Sequence, residues 1–328
     1  MQPFSYQKAS TVPGAVQAVA TPGTRFLAGG TGLYDLMKLG AETPAVIVDV
    51  NALQGLDAIE LTPSELRIGA LARMSVVGAD PRIVSGFPAL SEALLKAASQ
   101  QLRNMASVGG NLLQRTRCNY FRTGEPYACN KRSPGSGCSA IEGLDRSLAL
   151  LGTSGACIAN YPGDWAIALV AFDAQLDITG PSGSRTIALE RLHREPGETP
   201  HIETTLAQGE MITRIRVPAS ALGRASTYHK IRDRESYAFA LTSSAVALEM
   251  DGDTVRNVRV ALGGVASRPW RAREAEQSLV GRTLTTETAR AAGDIAFRGS
   301  RTGRHNGFKV ELGARTVADA LMIAKERA

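Results

Sequence analysis

Four cysteines, Cys118, Cys129, Cys138 and Cys157, fall within forty residues of a 328-residue chain and are the only ones it has; their spacings are eleven, nine and nineteen. Thiols gathered this densely can form disulfides, bind zinc or hold an iron-sulfur cluster. Disulfide staples serve small exported proteins, and this chain is too long to need them. Zinc sites commonly pair their ligands as knuckles two residues apart, whereas the wide intervals here let four thiolates approach a larger cluster from separate loop turns. Iron-sulfur chemistry is therefore preferred, with structural zinc as its competitor. Arg115, Arg117, Arg122, Lys131 and Arg132 lie around the cysteines and would offset a cluster's negative charge, although solvated basic side chains need no such purpose.

Two glycine-rich segments carry a second chemistry. Arg25-Phe26-Leu27-Ala28-Gly29-Gly30-Thr31-Gly32-Leu33 places three glycines and a threonine directly after an apolar run, where successive backbone N–H groups can converge on an anion such as a diphosphate. The spacing is not that of the Rossmann fingerprint, and no Gly-Lys-Ser/Thr follows to make a nucleoside-triphosphate loop. The alternative is a tight turn needing positive φ. Ser107-Val108-Gly109-Gly110-Asn111 repeats the pattern about eighty residues later. Two such loops can grip one extended ligand from both sides, with the hydroxyls of Thr31 and Ser107 and the amides of Asn111 and Gln114 adding hydrogen bonds.

The elements that must position these groups read as an α+β chain. Ser10 or Thr11 caps a helix over 12–20, strands are expected at 25–28 and 46–50, and a short helical piece at 34–39 lies between them. A second lobe begins near Leu66, with a strand at 66–71 and a helix at 88–98. The stretch 118–157, rich in Gly, Pro, Asn and Ser, reads as a loop insertion. Asp164 can cap a helix over 165–174, followed by a hairpin of 175–179 with 184–188 and a strand at 212–217. Beyond Pro218, a strand at 227–230, a helix-like run at 237–250, a strand at 255–262 and a closing helix at 317–327 suggest a separate α+β domain.

Composition narrows the function classes. Hydrophobic residues make up 44% and charged residues 21%, the range of a folded globular chain. The 37 basic residues outnumber 31 acidic ones but do not cluster, so no nucleic-acid partner is expected. No signal peptide is evident in this chain, and the longest apolar stretch, 165–172, is too short to cross a bilayer, so no membrane partner is expected. The histidines His193, His201, His229 and His305 are scattered, and no acid/base or nucleophilic set suggests itself.

Taken together, AGGT after the first apolar run, QLRN-x-AS-x-GGN, an aspartate before an apolar helix, Lys230, Ser236 to Leu241 and Ala261 to Val265 resemble the FAD-binding subunits of the xanthine dehydrogenase (molybdenum hydroxylase) family. The resemblance covers nearly the whole chain. It implies a two-lobed FAD-binding domain of the vanillyl-alcohol-oxidase/PCMH type over 1–220, with lobes of about 1–53 and 54–220 and an insertion at 115–157, followed by a smaller α+β domain at 224–328. By the same resemblance, Arg25 to Leu33 and Ser107, Gly110, Asn111 and Gln114 would hold the FAD diphosphate and ribityl chain. Asp164 would contact the flavin nucleotide, and Lys230 would lie near the isoalloxazine. For these two, a plain helix cap and a solvated strand-edge lysine are the alternatives. The family commonly has serine where this chain has Gly163.

The cysteine segment is similar to that of flavin subunits of bacterial periplasmic aldehyde oxidoreductases, which carry a four-iron, four-sulfur (4Fe-4S) cluster. The resemblance further implies electron transfer to FAD from iron-sulfur centres, a molybdenum-cofactor large subunit and a 2Fe-2S small subunit as partners in a heterotrimer, and a compartment that is periplasmic, by co-export with a signal-bearing partner, or cytoplasmic. The rival readings are a stand-alone flavoenzyme of the same fold and a zinc-stapled interaction module.

Overall fold

Strands β1 (Ser5–Lys8), β2 (Thr24–Leu27) and β3 (Val46–Asp49) form a parallel sheet in the order β1-β3-β2. β3 is central because its β-branched run carries the buried Ile47 and Val48, side chains that suit a covered strand. Helix α1 (Val12–Val19) makes the crossover from β1 to β2; the Thr11 hydroxyl caps it by accepting from the Gly14 amide at 3.2 Å. Helix α2 (Leu33–Lys38) connects β2 to β3 and begins where the first glycine segment ends. A computed structural model describes all residues, 1–328.

The second sheet is antiparallel in the order β4-β5-β8-β6-β7, from β4 (Ile59–Leu61), β5 (Glu65–Gly69), β6 (Gln175–Gly180), β7 (Gly183–Ala188) and β8 (Met211–Pro218). Its core is filled by the wholly buried helix Trp165–Ala171 and the helix Pro88–Leu95. The third sheet, β12-β11-β10-β9, uses β9 (Ser226–Ile231), β10 (Thr242–Asp251), β11 (Thr254–Gly263) and β12 (Trp270–Arg271), and the long helix Phe308–Lys325 packs on it. The chain is thus α+β, as expected, with three sheets.

One expected element has the wrong type. Residues 237–250 are not helical, since Thr242–Asp251 is the strand β10, paired on both sides. Ala245 and Ala247 face the core around Trp165, while Val246 and Leu248 face the core around Val317 and Leu321. A strand buried on both faces loses the polar alternation that would have identified it. The closing helix also starts earlier than expected, at Phe308. Helices at Met74–Ala79, Pro81–Gly86, Arg273–Leu279 and Thr286–Ala296 were not anticipated.

Candidate functional site

The two glycine segments meet. A Cβ added to Gly29 would lie 2.1 Å from the Met105 carbonyl oxygen and 2.9 Å from the Ala106 Cα, so the first loop rests directly on the backbone that leads into the second. Arg73 and Asn51 bind the two together. Arg73 donates to the Met105 carbonyl and, at 3.1 Å, to Asn51 Oδ1, and Asn51 Nδ2 donates to the Ala28 carbonyl at 3.0 Å. Gly30 has φ +73°, and Tyr34 occupies the space a side chain there would need. The amides of Gly29, Gly30, Thr31 and Gly32 donate to nothing within the chain, which leaves them available to an anion. Phe26, Leu27 and Leu33 pack into cores, and Arg25 pairs with Glu42 at 3.2 Å, so what this segment leaves free is its loop backbone and the Thr31 side chain.

The second segment differs from the expectation of a repeated amide cradle. Val108–Leu112 is a short helix, and the Ser107 hydroxyl caps it by accepting from the Gly110 amide at 3.3 Å. Val108 and Gly109 donate to the Ala72 and Ala70 carbonyls, and Asn111 to the Ser107 carbonyl. The amides are consumed because a capped helix forms and packs on residues 70–72. What this segment offers is side-chain chemistry: Asn111 Oδ1 is buried without a partner, and Gln114 Nε2 reaches the Asn111 carbonyl at 3.0 Å.

Asp164 stands at the start of the 165–171 helix but makes no capping bond. Its carboxylate accepts from Tyr228 Oη at 2.6 Å and from Lys230 Nζ at 2.9 Å. Lys230 also donates to the Lys96 carbonyl at 3.0 Å, and the Tyr228 hydroxyl lies in hydrogen-bond contact with Ser243 Oγ at 2.9 Å. Both charged side chains are enclosed, at 5% and 1% exposure for Asp164 and Lys230. Burial pushes the Asp164 carboxyl up, against the pull of Lys230 and Tyr228. The helix-cap and solvated-lysine alternatives therefore do not describe these residues: they join the two domains by a buried ion pair. Gly163 is tightly covered by Tyr161, whose ring a Cβ would touch at 2.5 to 2.6 Å, so the serine common in the family would not fit this arrangement.

Cys118, Cys129, Cys138 and Cys157 line one small pocket, and Cys129 and Cys138 face each other across an antiparallel bridge. The sulfurs are not drawn around a single point: no group of three or more His, Cys, Asp or Glu in the chain is arranged to hold one metal ion. The structure thus gathers the four cysteines but does not display a finished ligand set, so the expected 4Fe-4S cluster is not shown by the geometry. Burial pushes the Cys118 thiol up to about 11 and raises that of Cys157, and neighbouring cysteines add to both. Four thiols gathered in one pocket are the donor set that a cationic metal centre would deprotonate and hold.

The surrounding cations have other partners. Arg115 bridges Glu42 and Glu203, both at 2.7 Å; Lys131 binds Glu203 at 2.6 Å; Arg117 and Arg122 bind Asp35; and Arg132 donates to the Leu39 and Phe121 carbonyls. Burial works to raise the Glu203 carboxyl, but Lys131 and Arg115 hold it below its ordinary range. The insertion is consequently docked by ion pairs to Asp35, Glu42 and Glu203 rather than surrounded by free positive charge. A second, more open pocket shares Lys131 and Ala159 with the first and reaches Gln114. His193 lines it, neutral because burial lowers its pKa to about 4, and its Nε2–H donates to the Leu112 carbonyl at 2.8 Å.

Two family descriptions account for most of the chain. Residues 2–220 match the FAD binding domain in molybdopterin dehydrogenase, and residues 226–322 match the CO dehydrogenase flavoprotein C-terminal domain. The chain belongs to the FAD-binding subunits of the molybdenum hydroxylase family. This is a family of oxidoreductases. The aldehyde oxidoreductase FAD-binding subunit PaoB of Escherichia coli (strain K12) is 46% identical over 332 residues, covering 100% of both chains. The glyceraldehyde dehydrogenase medium chain of Sulfolobus acidocaldarius is 26% identical, covering 90% of this chain and 86% of its own. Among solved structures, carbon monoxide dehydrogenase from Hydrogenophaga pseudoflava matches with a TM-score of 0.78 and 26% identity over 100% of both chains. No helix is long and apolar enough to cross a membrane.

Within this family member, the residues that sequence reasoning missed are those that join the loops and domains: Asn51, Arg73 and Tyr228. Tyr228 could have been found, because Tyr228 and Lys230 are two apart on a strand and so point to one face. Asn51 and Arg73 carry no comparable local signal.

Proposed function

We propose that this chain is the flavin subunit of a molybdenum-containing aldehyde oxidoreductase, working with a molybdenum-cofactor large subunit and a 2Fe-2S small subunit in a heterotrimer. The end-to-end similarity to the Escherichia coli aldehyde oxidoreductase subunit carries this reading. In the proposed division of the chain, two lobes (about 1–53 and 54–220, with the insertion at 115–157) hold FAD, and residues 224–328 form the C-terminal domain.

The free amides of Gly29 to Gly32 would hold the FAD diphosphate, with Thr31, Asn111 and Gln114 adding side-chain hydrogen bonds. Arg25, Phe26, Leu27, Ala28 and Leu33 would shape that loop, and Ser107 and Gly110 the helix beside it. Asp164 and Lys230 would border the flavin from the domain junction. Cys118, Cys129, Cys138 and Cys157 would hold a 4Fe-4S cluster, the role their shared cavity and chemistry support. When bound, FAD and the cluster would supply the redox chemistry of electron transfer between the partner subunits and an external acceptor. The chain's own residues would bind and orient the flavin and, by burying Cys118 and Cys157, keep water from that side of the sulfur centre. The complex would be periplasmic through co-export with a signal-bearing partner, or else cytoplasmic.

Anaerobic purification of the complex, followed by flavin, iron and acid-labile sulfide analysis, tests this reading. One FAD and four irons per chain above those of the partner subunits are expected. Loss of those four irons in Cys118→Ser with flavin retained would locate the cluster. Zinc in place of iron, or a chain without flavin, would overturn the corresponding assignment.

A further inference from the structure

α2 touches both sites. Its first turn is hydrogen-bonded to the first glycine loop, with the amides of Tyr34 and Leu36 donating to the Gly30 and Gly32 carbonyls at 3.0 and 3.1 Å. One side of it, Leu33 and Met37, packs with Leu27 and Ile47 of the first sheet, and the other contacts the cysteine insertion. Asp35 accepts from Arg117 Nη1 and Arg122 Nη2, each at 3.0 Å, and these two arginines flank Cys118 in the chain. Leu36 is buried in the same apolar cluster as Cys118, Phe121 and Cys157. Arg132, also from the insertion, holds the Leu39 carbonyl just past the end of the helix at 3.2 Å. A helix of six residues is only about 9 Å long, so a displacement at its insertion-facing side must move the glycine loop as well.

We propose that Asp35 is a positioning residue through which, together with Leu36, the cysteine-lined pocket holds the first glycine loop in its flavin-binding shape, so that flavin affinity depends on the state of the four thiols. This rests on the flavin reading above. An acid in the first helical turn has an ordinary use, offsetting the helix dipole, but that use would be local and indifferent to the cysteines.

The test uses the full chain, stripped of FAD and titrated with FAD while flavin fluorescence is followed. Asp35→Asn removes the charge that both arginines bind, and a rise in Kd of roughly tenfold is expected, the factor that about 1.4 kcal/mol gives. Asp35→Glu recovers most of that loss. Blocking the thiols with p-hydroxymercuribenzoate raises the wild-type Kd by a similar factor but changes that of Asp35→Asn much less, because the link is already cut. Leu36→Ala interrupts the packing half of the link and serves if Asp35→Asn does not fold, with the same loss of response to the mercurial expected. An unchanged Kd in the variant, or an equal mercurial effect in variant and wild type, overturns the proposal while leaving the flavin reading intact. A wild-type chain that binds no FAD overturns the flavin reading instead.

Discussion

Replacing Lys230 by methionine leaves Asp164 buried with Tyr228 but without its cation, and the size of the penalty follows from what the carboxylate can then do. Breaking a buried pair by removing one partner costs about 3–5 kcal/mol. The carboxyl can escape part of that by taking up a proton, at about 1.4 kcal/mol for each pH unit above its free value of 3.8. This route caps the loss at about 4.4 kcal/mol at pH 7 and about 1.6 kcal/mol at pH 5. Urea unfolding of wild type and Lys230→Met at the two pH values should therefore show a loss of about 3–4 kcal/mol at neutral pH that shrinks as the buffer is acidified. Adding Asp164→Asn to the variant should return most of the neutral-pH loss, since an amide has no charge to strand. A loss that is the same at both pH values, or below about 1 kcal/mol at pH 7, would refute the view that this pair is a desolvated junction.

Gly29→Ala forces a methyl group against the Met105 carbonyl and should cut flavin retention at least about tenfold, whereas Gly32→Ala meets nothing within 4 Å at φ −99° and should retain flavin; absorbance of the purified proteins compares them. Lys309 is fully buried, bonded only to the Leu148 and Gly264 carbonyls, and burial lowers its pKa to about 7. The unfolded amine keeps its proton up to about 10.5, so folding should gain about 1.4 kcal/mol per pH unit between about pH 7 and 10.5, and Lys309→Met should lose that slope in denaturation series. Tyr228→Phe leaves Asp164 one bond poorer in a dry site and should cost about 1–3 kcal/mol by the same unfolding assay.

Local chemistry made much of this chain readable. The caps, glycines and β-branched runs placed α1, α2, β2 and β3 within a residue or two, while the crowding of four cysteines into one loop pointed to an iron-sulfur cluster, and the structure gathers them in one pocket without displaying a metal-ligand set. What stayed hidden depends on distant partners. That Ser107 would close a helix and use up its amides follows from residues 70–72, far off in the chain. That Arg115 and Lys131 would serve as docking cations follows from Glu42 and Glu203, whose proximity only the fold creates. β10 escaped for a related reason, since its polar alternation is erased when both faces are covered.

That same strand has a consequence for how the chain assembles. Its small residues, Ala245 and Ala247, and its larger ones, Val246 and Leu248, are apportioned to opposite sides. A slip of one residue in pairing would exchange them, crowding the side shared with Trp165 and leaving voids beside Val317 and Leu321. Misaligned pairing is thus penalised on both sides at once, and the strand proofreads its own alignment by volume.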